Sequence, residues 1–404
     1  MAYPVPRFGT PKTPQHFDQS PDDSPRDGPR EAISRPHNIL KQYKPYLLAA
    51  VTFALLLLWM GFSTSSPTQT DRIPYTHDPI EDYFNHFEGH QDCGIKSTHL
   101  YKPPIITRTD PQKHLHYCQN RATLLEAMSG GGRHGFDAPF VPAACHYRWY
   151  STTEVCMILD RFDAIVFIGD NMLQHIYAAF NILLRENMAM GSLKQWEMSE
   201  DERVNCRCDN QITRPECSKY AVLDSEEVRK KDPGSGHTSP YHCNRTPNYI
   251  LPITTSPSSE ELRTAFTATL AKDPDSYKPV PVIHSLGLAT SLSWPAATAS
   301  MDEWLAVADA SSRNVPFLWL GPNAAGHLKP PGQIMSQGNN ALWHYTIEMT
   351  KEARSREIDA LGLYNLTLQA GSWDGSNYAQ RVLLVEAMMV SQHEVTNILQ
   401  RQWY

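Results

Sequence analysis

The sequence has no excess of positive charge. Its 36 Lys and Arg stand against 43 Asp and Glu, a net charge of −7. Proteins that grip nucleic acid usually present a basic face, so no nucleic-acid partner is expected. There is no internal repeat, which sets aside stacked-repeat architectures. No cysteine occurs before Cys93, and no charged residue occurs between Tyr46 and Phe62. Cys206-x-Cys208 with Cys217 could be half of a zinc site, but no matching Cys/His half follows at zinc-finger spacing. The expectation is no metal and no cofactor.

The uncharged run from Tyr46 to Phe62 is 17 residues long. At 1.5 Å per residue that is the short end of what spans a bilayer. Arg35, Lys41 and Lys44 precede it, whereas Ser63 to Thr70 carry no charge. The positive-inside bias then leaves the N-terminus cytosolic. The run begins about 45 residues in, too deep for a usual cleaved signal peptide. The expected organisation is a disordered cytosolic tail at 1–42, a transmembrane signal anchor at 43–63, a lumenal stem at 64–91 and a lumenal domain at 92–404. A short span suits the thin membranes of the early secretory pathway, so a type II protein of the Golgi or ER membrane is expected. The tail carries Thr10-Pro11, Thr13-Pro14, Ser20-Pro21 and Ser24-Pro25, readable as proline-directed phosphorylation sites or as products of its composition.

All eight cysteines follow the anchor: Cys93, Cys118, Cys145, Cys156, Cys206, Cys208, Cys217 and Cys243. An even number confined to one side of a membrane points to disulfides in an oxidising compartment. Two glycosylation triplets, beginning at Asn244 and Asn365, lie on the same side.

Strand signals are short and continuous, as in buried parallel strands. They occupy Ala164 to Ile168, Val280 to His284 and Val315 to Leu320. Helical spacing covers Met172 to Leu184, Met301 to Ala310, Leu342 to Ala360 and Gln380 to Gln400. Residues 226–240 and 252–261 read as exposed loops. Strand, turn and helix in alternation give an α/β domain with a mainly parallel sheet. Ligands then bind at the carboxyl ends of the strands. That places the Gly169-Asp170 turn, just ahead of a helix N-terminus, where acyl-transfer chemistry would find stabilised negative charge.

The stretch Ile165-Val-Phe-Ile-Gly-Asp-Asn-Met172 resembles the Gly-Asp-Ser block of SGNH hydrolases, in the version used by PC-esterases. That family includes the plant trichome-birefringence-like proteins and the fungal capsule O-acetyltransferases. Cys145 to Trp149 and Glu154 to Phe162 resemble its lead-in, and Cys206 to Cys217 its cysteine cluster. Trp319 to Pro322, Gly338 to Leu342 and Ser372 to Tyr378 follow in the family's order, covering roughly residues 140–400. The resemblance implies a flavodoxin-like three-layer SGNH domain. It also implies that Asn171 stands in the seat of the serine nucleophile and Asn377 in that of the catalytic histidine, with Asp170 and Asp374 beside them. Ala289-Thr290 replaces the usual oxyanion-hole block after Gly287, and Gln174 stands where members often carry arginine.

An amide is no nucleophile at neutral pH and has no basic site to accept a proton. A degenerate member is therefore expected, holding a glycan or cell-wall polysaccharide, or partnering proteins of an acetylation pathway. Two alternatives remain open. One is an active enzyme using His175 or His284 with Ser285 or Ser291. The other is a purely structural membrane-tethered domain. Of Trp294, Trp304, Trp319 and Trp373, only Trp373 is expected at the cleft, alongside Gly287, Thr290, His175 and His284.

Overall fold

The computed structural model describes residues 82–102, 117–231, 241, 243, 247–273 and 275–401. Their centre is a sheet of five parallel strands: β3 (Ile165–Gly169), β4 (Asn248–Pro252), β5 (Val282–Ser285), β6 (Phe317–Leu320) and β7 (Asp359–Leu361), in spatial order β4-β3-β5-β6-β7. A small antiparallel pair, β1 (Gly132–Arg133) and β2 (Phe140–Val141), stands apart from it. Numbered within the large sheet, the order is 2-1-3-4-5, the flavodoxin-like doubly wound arrangement.

Successive side chains leave a strand on opposite faces. Ile165 and Phe167 accordingly enter one core, while Val166 and Ile168 enter the other. On the first face lie helices α1 (Arg121–Gly130), α2 (Thr152–Leu159), α3 (Asn171–Leu184) and α7 (Gln380–Arg401). On the second lie α4 (Glu260–Ala271), α5 (Trp294–Ala310) and α6 (Asn339–Ser355). The result is a three-layer α/β unit. Both faces of the sheet are covered, which is why its strands read as unbroken apolar runs. Helix starts are set locally: Ser151 and Glu154 close a capping box on α2, and Ser293 caps α5.

The expected strands and helices are present with shifted ends. The strand β4 and the helix α4 were not expected, and Ser225–Lys231 is helical where an exposed loop was read. The helix expected to run to Ala360 stops at Ser355, and β7 begins four residues later. The folded unit also begins before Cys93. Phe84 and Phe87 are buried in the first core, so residues 82–91 pack into the domain and are not stem. The expected anchor at 43–63 lies outside the described residues, as does Asn244. Among the described residues, no helix is long and apolar enough to cross a membrane.

All eight cysteines pair, as Cys93–Cys208, Cys118–Cys145, Cys156–Cys243 and Cys206–Cys217. The zinc alternative for the Cys206–Cys217 segment falls away, since those thiols are covalently committed. The second glycosylation triplet is built into the fold. Asn365 Nδ2 donates to the Ser129 carbonyl at 2.8 Å, and Thr367 is fully buried with its hydroxyl bonded to Leu363. That geometry speaks against a glycan at Asn365, because the attachment atom faces protein.

Candidate functional site

In a doubly wound sheet the crevice opens where the strand order reverses. Here that point lies between the carboxyl ends of β3 and β5. Asp170 follows β3 and caps α3, its Oδ1 accepting from Met172 N at 3.2 Å. Its Oδ2 reaches across the switch point and accepts from the backbone N–H groups of Gly287 and Ala289, at 3.1 and 3.4 Å. The carboxyl is 3% exposed. Burial pushes its pKa up, and the four backbone N–H groups of Gly287, Ala289, Met172 and Leu173 oppose that. Asp170 is thus a brace between the two loops that frame the crevice.

An isosteric change isolates the brace. Asp170→Asn puts an NH2 group against an N–H donor whichever way the amide turns. A buried donor left without an acceptor costs about 1–3 kcal/mol, so a loss of that size in chemical denaturation is expected. A loss below about 0.5 kcal/mol would remove the bracing role.

Asn171 is the first residue of α3 and is exposed. Its Nδ2 donates to Asn377 Oδ1 at 3.2 Å, although 206 residues separate the two. Asn377 Nδ2 in turn donates to Asp374 Oδ2 at 2.6 Å. Asp374 Oδ1 accepts from the backbone N–H groups of Ser376 and Asn377, at 2.8 and 2.7 Å. The three residues therefore form one hydrogen-bonded relay. Its polarity follows from the carboxylate, which can only accept. Asn377 must turn its NH2 to Asp374 and its oxygen to Asn171. Asn171 must then offer its NH2, leaving its own Oδ1 on the exposed side.

The closing loop is held by close backbone contact. Gly375 has φ +87°, and a Cβ there would lie 2.2 Å from Lys329 N. Gly326 donates to the Gly375 carbonyl at 3.1 Å and leaves no room for a Cβ against Ser372. Only glycine fits both positions. Ser372 Oγ donates to the Asn377 carbonyl at 2.8 Å, and Trp373 N donates to the same oxygen at 3.2 Å. Trp373, the residue before Asp374, is 36% exposed. Trp304 and Trp319 are core residues, whereas Trp294 is exposed at the start of α5.

The other candidates do not join this relay. His175 lies one turn along α3 from Asn171, and no hydrogen bond joins the two. Burial drops its pKa to about 4 against the pull of Asp374, so the ring is neutral near pH 7. His284 is 1% exposed and turns away from the crevice into the second core, with Nε2 3.0 Å from Ser300 Oγ. Burial lowers its pKa to about 4, with Glu303 opposing. This Ser–His pair is sealed from solvent, since Ser300 is fully buried too. Ser285 is also buried and donates to the Leu320 carbonyl. Ser291 is exposed at φ +53°, and no hydrogen bond links it to either histidine. Thr290 Oγ1 donates back to the Gly287 carbonyl at 3.1 Å. The expected displaced sets of His175 or His284 with Ser285 or Ser291 are therefore not assembled.

Two further residues at this place were missed in the sequence. Lys329 Nζ lies 2.6 Å from Ser376 Oγ and 3.0 Å from Gln337 Oε1. The lysine is 7% exposed, and burial lowers its pKa against the field of Asp374. Its segment is located by Asn339, whose amide bonds Ala325 N and the Ala325 carbonyl, at 2.7 and 3.1 Å. The Gly338–Leu342 and Ser372–Tyr378 motifs contain Asn339 and Ser376, but nothing in the sequence marks Lys329.

No family model matches this chain. No curated protein matches it either. Among solved structures, Est24, a carbohydrate acetylesterase from Sinorhizobium meliloti, matches at 10% identity with a TM-score of 0.29, over 57% of this chain and 96% of that one. A likeness that slight carries no argument, and the site rests on its own geometry.

Proposed function

We propose that this chain is a degenerate relative of the PC-esterase/SGNH O-acetyltransferases, anchored in a secretory membrane, whose crevice binds a glycan without serine–histidine chemistry. The relay Asn171–Asn377–Asp374 at the strand switch point carries this reading. It has the connectivity of a nucleophile, base and orienting acid, yet its first two members are amides. A Ser–His–Asp unit works by passing a proton from hydroxyl to imidazole. Here Asn171 has no hydroxyl to activate, and Asn377 presents a carbonyl oxygen with no basic pKa near 7. What such a relay does well is hold still. It presents the Asn171 oxygen to a hydroxyl donor, with the exposed Trp373 next to Asp374 in the same closing loop. Aromatic faces and fixed amides are the groups that grip sugars, and binding of this kind suits a regulatory partner in glycan O-acetylation.

The test is binding of the full chain, in detergent, to an array of acetylated and unacetylated oligosaccharides. Retention on a subset of glycans is expected, with at least a tenfold loss of affinity in Trp373→Ala. No binding to any glycan, or binding indifferent to Trp373, would reject the reading.

A further inference from the structure

We propose that Ser376 and Lys329 form a nucleophile–base pair that accepts an acyl group from an activated ester, beside the amide relay and not through it. The proposal goes beyond the binding role and does not require it. Three observations carry it. Nζ and Oγ stand 2.6 Å apart, inside the reach that a general base needs. Lys329 is 7% exposed and sits against polar atoms, while Ser376 is only half-buried, so the serine lies nearer the surface than the amine. The approach is also enforced. Gly375 at φ +87° lets the loop press onto the Lys329 backbone, where a Cβ would collide at 2.2 Å. Asp374 meanwhile fixes Ser376 through its backbone N–H at 2.8 Å.

The lysine must be neutral to act as a base. Burial favours that form, although Asp374 opposes it. As a cation Nζ donates to both Ser376 Oγ and Gln337 Oε1; once neutral it has one lone pair, which accepts the Ser376 hydroxyl proton, while one N–H still donates to Gln337 Oε1. Serine–lysine pairs of this type are an established solution to hydroxyl activation.

The step balances within the pair and the ester. Lys329 Nζ takes the proton as Ser376 Oγ bonds to the carbonyl carbon. The tetrahedral adduct collapses by breaking the bond to the leaving oxygen, which takes the proton back from Nζ. Ser376 is left as an ester. A water or sugar hydroxyl then attacks that ester with the same proton traffic, releasing the acid or a new ester and restoring the serine. The Ser300–His284 pair cannot compete, because both residues are fully enclosed.

Incubating the full chain with a fluorophosphonate and mapping the adduct by peptide mass spectrometry tests this directly. One adduct per chain, on Ser376, is expected. Ser376→Ala should abolish it, Lys329→Met should slow it at least tenfold, and Ser218→Ala, an exposed serine elsewhere, should leave it unchanged. No adduct, an adduct on another serine, or equal rates in Lys329→Met would overturn the proposal. The position of the adduct in the unaltered chain decides the matter even if a variant fails to fold. Since the probe carries no sugar, a negative result here leaves the glycan-binding reading standing, and the reverse also holds.

Discussion

Introducing Asn171→Ser and Asn377→His together is expected to raise hydrolysis of an aryl acetate at least tenfold over the parent chain. The scaffold for this is in place. Asp374 already accepts from Asn377 Nδ2 at 2.6 Å, and the corresponding imidazole N–H would inherit that bond. Asn377 already faces Asn171 at 3.2 Å, so the second ring nitrogen would point at the new hydroxyl. Asn171 heads a 14-residue helix, whose N-terminal dipole favours the alkoxide that forms. Either substitution alone should do little. Members of such a unit act together, and losing one costs nearly as much as losing all, about 10⁶ in a well-studied case. A transplanted pair recovers only part of that, so roughly 10 to 10³ is the expected range. Adding Asp374→Asn should return the rate to the parent level. The Ser376→Ala background separates this signal from any contribution of the neighbouring serine. A well-folded double variant with no rise would mean that Asn171 and Asn377 do not occupy the seats assigned to them.

The second large effect comes from a buried carboxyl group. Glu386, on α7, is fully buried, and burial lifts its pKa to about 8, with Asn323 and Arg133 opposing. Both its carboxyl oxygens are buried, and neither has a well-formed hydrogen bond, the Asn323 side chain being a weak partner. A proton on Glu386 removes the cost of holding a charged carboxylate in that buried place. In the unfolded chain the same group ionises near 4.5. The folded pKa is raised, so the contribution to stability is fully present below about pH 4.5 and is lost as pH rises through about 8. Each unit of difference is worth about 1.4 kcal/mol, giving about 3–5 kcal/mol across the window. Glu386→Gln keeps the shape and the donor without the titration. Its stability relative to the parent should therefore climb by roughly 4 kcal/mol between pH 5 and pH 9, in denaturant titrations. A difference that stays flat with pH would show that Glu386 is ionised in the fold.

Much of the frame was legible in the sequence because buried parallel strands and amphipathic helices write strong local patterns. The strand β3, its turn and α3 lie close to where the sequence placed them. The strand β4 was hidden because Asn248-Tyr-Ile-Leu-Pro252 is brief and ends in a proline beside a Ser-Pro-rich stretch. The boundary before β7 escaped notice because its turn uses Glu357 at φ +60°, where no glycine marks the break. At the site, the relay follows from motif order. The Lys329–Ser376 contact does not, since it depends on two loops meeting across 47 residues of chain. The inward turn of His284 was equally unreadable, because a strand buried on both faces gives no alternation to fix its phase.

The pairing of Cys206 and Cys208 bears on how the chain matures. These near neighbours find partners in opposite directions: Cys208 with Cys93, 115 residues upstream, and Cys206 with Cys217, 11 residues downstream. A nascent chain leaving the ribosome shows Cys93 to both before Cys217 has emerged. Cross-linking Cys93 to Cys206 misses the native partner by two positions and leaves Cys208 and Cys217 to join in error. Where Cys93 joins Cys206 first, thiol exchange has to move it to Cys208, so this doublet is where scrambled product is expected to accumulate on oxidative refolding.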